Sequence, residues 1–176
     1  MDKAYVHGYD SRENMRLQDQ ANTLVELLHS DTSYPAGSRI LEVGCGVGAQ
    51  TVTLARKSPN ASLLSIDIFE ESITEARGAL ETSGLNNVQF LCADIFNLDL
   101  ETESFDHVFV CHVLEHLSQP ENALAILQSL IKVGGTITVI EGDHGSTYFY
   151  PESEAAQKAI QCQVELQKRT GGNRSE

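Results

Sequence analysis

The chain predicts an α/β fold built on a doubly wound parallel sheet. Three observations carry that expectation. Short apolar runs recur along the chain, separated by helical stretches of roughly 10–15 residues. The first run, Arg39-Ile-Leu-Glu-Val43, leads into a glycine-rich turn, Gly44-Cys-Gly-Val-Gly48. The second, Leu63-Leu-Ser-Ile-Asp67, ends in an acid about 20 residues beyond that turn. Right-handed crossovers in such a sheet gather ligands at the carboxyl ends of the strands, beside the first one.

The elements follow in order. Leu17, Ala21, Leu24, Val25 and Leu28 fall at helical spacing, and Asp10 with Glu13 suits a capping box, so 11–30 reads as an amphipathic helix. Tyr34-Pro-Ala-Gly37 breaks it. Strand Arg39–Val43 comes next, then a helix from Gln50, strand Ser62–Asp67, helix Glu70–Ser83, strand Val88–Cys92 and strand Phe105–Cys111. Ser118 is expected to cap a further helix, with Pro120 in its first turn and Glu121 closing a capping box. Gly134-Gly135 is expected to end that helix and turn the chain into strand Thr136–Glu141. Pro151 opens a last helix, with Ala155, Ala159, Cys162 and Leu166 on one face. The polar tail from Thr170 is expected to fray.

With 176 residues the chain suits one domain with a substantial core. No apolar run approaches the roughly 18 residues of a membrane helix, and the polar start lacks a signal-type apolar region. Three of the four cysteines, Cys45, Cys92 and Cys111, lie in or beside apolar strands, where a thiol behaves as a small buried hydrophobe. Together with Cys162 they form no paired motif, and a reduced, cytoplasmic chain is expected. The net charge of −13 repels nucleic acid and attracts a cationic ligand.

The glycines are spaced G-x-G-x-G. A dinucleotide loop is G-x-G-x-x-G, shaped for a pyrophosphate on a helix N-terminus. Here the third glycine comes one residue early, and Glu42 precedes the loop. The pattern resembles motif I of the class I S-adenosylmethionine (SAM)-dependent methyltransferases, whose Rossmann-like core this chain follows over about residues 36–145. Asp67, Asp94 after the third strand, Phe105–Cys111 and Val133-Gly-Gly-Thr136 extend the resemblance in order. It implies that Glu42 and the loop Gly44, Cys45, Gly46 and Gly48 hold the methionine half of SAM. Asp67 would bind the ribose, where a carboxylate accepts from a vicinal diol. Ile68 would pack on the adenine, Asp94 with Ile95 would meet its amino edge, and Cys111 would lie against the cofactor. The product would be S-adenosylhomocysteine (SAH).

His112-Val-Leu-Glu115-His116 also matches the H-x-x-E-H zinc-peptidase pattern, but it follows a strand directly and lacks a third ligand, so no metal is expected. Methyl transfer is in-line and needs positioning more than a strong base. Asp143 and His144 after the fifth strand are candidates to take a proton from an acceptor, or simply turn residues. Tyr148, Phe149 and Tyr150 would line an acceptor pocket or cap the core. Residues 1–36, with Tyr5, Tyr9, Arg12, Glu13 and Arg16, resemble the family's lid; 37–176 would form the SAM-binding core.

The family usually adds two more strands after the fifth, and this sequence ends just past the fifth strand's helix. Either the sequence is a fragment or truncated form, or the sheet ends with five strands as a C-terminally short core, whose fifth strand leaves an open edge where a homodimer could pair. The acceptor expected is a small molecule, with neither nucleic acid nor membrane as partner. Two rivals stand beside this: a non-catalytic SAM-binding module, and a nicotinamide oxidoreductase, against which the glycine spacing and the absence of a Tyr-x-x-x-Lys pair argue.

Overall fold

The structure, a computed structural model, describes residues 23–170. The start of the predicted first helix, its capping box, the tyrosines and arginines of the lid segment and the tail after 170 lie outside those residues. The described part of α1 covers 23–28 and buries part of Leu24, Val25 and Leu28. Five strands then form one parallel sheet in the order β3-β2-β1-β4-β5. They are β1 (Arg39–Val43), β2 (Ser62–Asp67), β3 (Val88–Cys92), β4 (Phe105–Cys111) and β5 (Ile131–Ile140). Helices α2 (Ala49–Lys57), α3 (Glu70–Thr82) and α4 (Pro120–Leu130) connect them, and α5 (Glu154–Thr170) follows.

The central strands are apolar on both faces, as a sheet covered on both sides requires. Ile40, Leu63 and Phe109 point toward α2 and α3, packing with Leu54, Ala55 and Leu80. Leu41, Val43, Ile66, Val108 and Val110 point the other way, onto Ala123, Leu127 and Leu130 of α4. Each large apolar side chain buried this way contributes roughly 1.5–3 kcal/mol. The amide nitrogen of Asn87 donates to the carbonyls of Ala55, Ser58 and Ala61 at 3.2, 3.0 and 3.2 Å, closing the turn between α2 and β2.

His29, at the end of α1, is fully buried and stacks on Phe109. Its Nε2 donates to Gln50 Oε1 at 2.6 Å, and Nδ1 accepts from the Thr32 hydroxyl at 2.7 Å. Burial lowers its pKa and favours this neutral, fully bonded ring. The contact ties the end of α1 to the first turn of α2.

Four expectations need correction. Helix α4 is capped by Gln119 rather than Ser118, with no side-chain cap bond; Pro120 takes the first helical position, where its fixed φ is favourable. Gly134-Gly135 does not end α4, which stops at Leu130. Those glycines lie in an irregularity of β5, where pairing moves from Phe105↔Ile131 to His107↔Thr136. Asp106 stands opposite it, and its carboxylate accepts from Arg39 N and Lys132 Nζ, both at 2.8 Å. The backbone folds tightly round it, so a Cβ at Gly135 would stand 2.6 Å from the Asp106 carbonyl oxygen.

Helix α5 buries Gln167 and half-buries Ala156, Ile160, Gln163 and Val164, not the predicted face, from which Ala155, Ala159, Cys162 and Leu166 are exposed. It packs over the turns that follow β4 and β5, so its inner face meets polar loops rather than an apolar sheet. Cys92 is exposed at the end of edge strand β3 and Cys45 and Cys111 are buried; all four thiols are free.

Candidate active site

The strand order reverses between β1 and β4, which opens a crevice at their carboxyl ends. The glycine loop lines it. Gly44, Gly46 and Gly48 have φ of 68°, 51° and 82°, a left-handed backbone that side chains disfavour. A Cβ on Gly46 would meet nothing within 4 Å, so a ligand can approach its backbone directly. A Cβ on Gly48 would stand 3.0 Å from Ala76 Cα, so this glycine lets α2 and α3 close together.

Asp67 ends β2 beside the loop. Its Oδ2 accepts from Gly46 N at 2.8 Å and its Oδ1 from Phe69 N at 3.0 Å. Burial raises its pKa, and these N–H groups oppose the rise. Asp94 accepts from Phe96 N at 3.1 Å, capping a short turn over Ile95–Asn97. Ile68 is half-buried, whereas Ile95 sits in the core under α4, which leaves its backbone as the part nearest the crevice. Burial, reinforced by the nearby carboxylates, pushes the Cys111 thiol up to about 12 and raises that of Cys45, so neither is a thiolate nucleophile.

Glu42 is 2% exposed, and the Ser65 hydroxyl donates to its Oε2 at 2.6 Å. Burial pushes its carboxyl up to about 7, from 4.5 when unperturbed. Between those values the native state retains a proton that the unfolded chain has released. The stability that Glu42 contributes therefore falls as pH rises through that window. Glu42→Gln is expected to melt higher than the parent at pH values above the window. The gain is up to ~3 kcal/mol, vanishing in acid below the window, and thermal melts across pH measure it.

The loop after β4 forms the opposite wall. His112 has φ of 56°, and its N–H donates to the Ile140 carbonyl at 2.8 Å. A short turn over Leu114–His116 follows. Glu141, at the end of β5, accepts there with Oε1 from Val113 N and Leu114 N, both at 3.0 Å, and with Oε2 from Glu115 N at 3.3 Å. Glu141 belongs to no motif in the sequence, though its position signals it: it is another acid at a strand end. His112 and His116 do not share a helix face. Both approach Glu115 at 3.7 Å, and among the described residues no three His, Cys, Asp or Glu side chains form a metal site.

Asp143 behaves as a turn residue. Its carboxylate accepts from Gly145 N at 2.9 Å and from the Ser146 hydroxyl. The His144 side chain lies outside the described set. Tyr148 and Tyr150 are 84% and 86% exposed, so they neither line a pocket nor cap the core; Phe149 is half-buried.

Residues 35–173 match the family model described as a methyltransferase domain. An uncharacterized methyltransferase of Schizosaccharomyces pombe is 31% identical over 134 residues, 73% of this chain and 48% of that protein. A demethylmenaquinone methyltransferase of Staphylococcus saprophyticus is 26% identical over 140 residues, 79% of this chain and 59% of the other. The crystal structure of a SAM-dependent methyltransferase from Aquifex aeolicus superposes with a TM-score of 0.68 at 22% identity, covering 91% of this chain and 88% of that one. The chain therefore belongs to the class I SAM-dependent methyltransferases, an enzyme family whose cofactor is SAM. It spans about half the length of the first curated relatives it matches. No described helix is long and apolar enough to cross a membrane.

Gly44 couples the two walls. A Cβ there would stand 2.4 Å from Val113 Cγ2. Gly44→Ala is expected to cost about 1–2 kcal/mol in backbone strain alone, and more from the clash. Thermal melting should show a clear loss, and adding Val113→Ala should recover the clash but not the strain.

Proposed function

We propose that the chain transfers a methyl group from SAM to a small-molecule acceptor. The observation that carries this is the joining of Asp67 to the glycine loop through Gly46 N, beside open space over Gly46. Asp67 binds the ribose hydroxyls, and Ile68, Asp94 and Ile95 hold the adenine. Glu42, Gly44, Cys45, Gly46 and Gly48 receive the methionine end, and Cys111 closes the floor. The bound cofactor supplies an electrophilic methyl carbon on a cationic sulfur. The protein contributes alignment of the acceptor with that carbon and exclusion of water. Asp67 presents negative charge beside the cationic ligand. The acceptor class is supported by relatives such as the demethylmenaquinone methyltransferase.

Residues 1–36 act as the lid over the core 37–176. The His29–Gln50 bond supports this, because it fixes the end of α1 to the first turn of α2, directly after the glycine loop. The free thiols suit the cytoplasm. A second copy pairs along the β5 edge; Ile137 and Val139, 38% and 42% exposed there, support it. Calorimetric titration with SAH, with NAD as control, is the first test. Micromolar SAH binding without NAD binding is the expected result, and its absence would overturn the proposal. Methyl-labelled SAM with a panel of alcohols, amines, thiols and acidic carbon compounds then tests turnover; cofactor binding with no transfer to any of them would leave a binding module.

A further inference from the structure

The loop after β4 carries chemistry that the cofactor does not use. His112 stands directly before Val113, whose side chain lies against Gly44 at the proposed methionine end of the crevice, and its own side chain is 34% exposed. Its left-handed backbone is one that a residue with a side chain disfavours. The Ile140 carbonyl and the Glu141 carboxylate hold the loop in place around it. The histidine side chain is therefore aimed by its surroundings, against its own backbone preference.

Its two nitrogens differ. Nδ1 lies 3.7 Å from Glu115 Oε1. Nε2 is buried with no hydrogen-bond partner among the described residues. A packing histidine looks different in this same chain: His29 has both nitrogens bonded. Glu115 is 9% exposed, and its other oxygen, Oε2, accepts from Gln167 Nε2 at 3.2 Å. Gln167 is itself 1% exposed on the inner face of α5. His116 Nε2 approaches the same Glu115 oxygen as His112 does, also at 3.7 Å. A carboxylate fixed from α5 thus faces one nitrogen of a ring whose other nitrogen is unsatisfied. Such base-to-orienter contacts are commonly long before substrate binds.

We propose that His112 is the catalytic residue that takes the acceptor's proton, and that Glu115, held by Gln167, is the positioning residue that orients its ring. The proposal rests on the methyltransferase reading above and replaces Asp143, whose carboxylate is engaged in its own turn. In the step, the acceptor heteroatom's lone pair forms the bond to the methyl carbon. The carbon–sulfur bond breaks, its electron pair stays on sulfur, and the acceptor's proton passes to His112 Nε2. Glu115 stabilises the imidazolium that results.

Two measurements test this on the full chain. Nitrogen NMR of histidine-labelled protein with saturating SAH should show His112 protonated on Nδ1 and unprotonated on Nε2. Glu115→Gln and Gln167→Leu should each shift that tautomer balance. His112→Asn keeps a residue that tolerates the left-handed backbone. With the acceptor that the labelled-methyl panel identifies, it should lower kcat ~10²–10⁴-fold, with SAH affinity unchanged. Gln167→Leu should lower kcat without raising the acceptor's KM. An Nε2-protonated His112 in the parent chain, or full turnover in His112→Asn, would overturn the proposal. Failure of SAH to bind would instead reject the methyltransferase reading, while the tautomer, measurable without cofactor, would still decide the Glu115–His112 pairing.

Discussion

Asp67→Ala is expected to weaken SAH binding by about 1.5–3 kcal/mol, roughly 10- to 150-fold in the dissociation constant. The carboxylate has two tasks. Its oxygens brace Gly46 N and Phe69 N, and in the proposed binding mode their remaining lone pairs accept from the ribose diol. Alanine removes the ligand contact and loosens the loop that meets the methionine end, so both halves of the cofactor lose affinity. Asp67→Asn retains one acceptor oxygen and should fall between. Burial raises the Asp67 pKa, so parent affinity should also decline on acidification, as the carboxylate gains a proton and loses acceptor capacity. Calorimetry reads each of these effects, and unchanged affinity in the alanine variant would reject the ribose assignment.

Glu141→Ala is expected to cost on the order of 3 kcal/mol of stability. One carboxylate accepts from three successive N–H groups, at Val113, Leu114 and Glu115. Its removal leaves those donors without their partner while His112 keeps its unfavourable φ. The strained turn then has little reason to persist. Glu141→Gln preserves one accepting oxygen and should lose less. Denaturant titration gives the global change, and hydrogen exchange at the three amides shows whether the loss begins locally. A parent-like denaturation curve in Glu141→Ala would mean that the turn holds itself.

The sheet was legible because its signals are local. Runs such as Leu63–Ile66 and Val108–Val110 are apolar on both faces, which a buried parallel strand requires, and the strand-end acids and glycines mark the crevice. What was misjudged depends on contacts distant in sequence. Gly134-Gly135 reads as a helix stop, but it packs closely on the backbone of Asp106, a residue of the neighbouring strand. Helix α5 has its inner face chosen by Glu115, 52 positions from Gln167, and no periodicity reports that partner. Asp143 and Glu141 are both acids in the same loop. Only the placement of the turn after β4 tells which one supports the site.

Strand order also divides the molecule by purpose. All the proposed cofactor contacts except Cys111 fall within residues 42–95, on β1, β2 and β3 and the turns that follow them, while the loop proposed to take the proton and α5 belong to the half beyond β4. The two halves share a sheet, but at the crevice they touch closely where Gly44 meets Val113. Changes to acceptor chemistry can therefore accumulate on one side of that contact without disturbing the other, provided residue 44 stays glycine. A single position, Gly44, thus joins the proposed donor side to the proposed acceptor side.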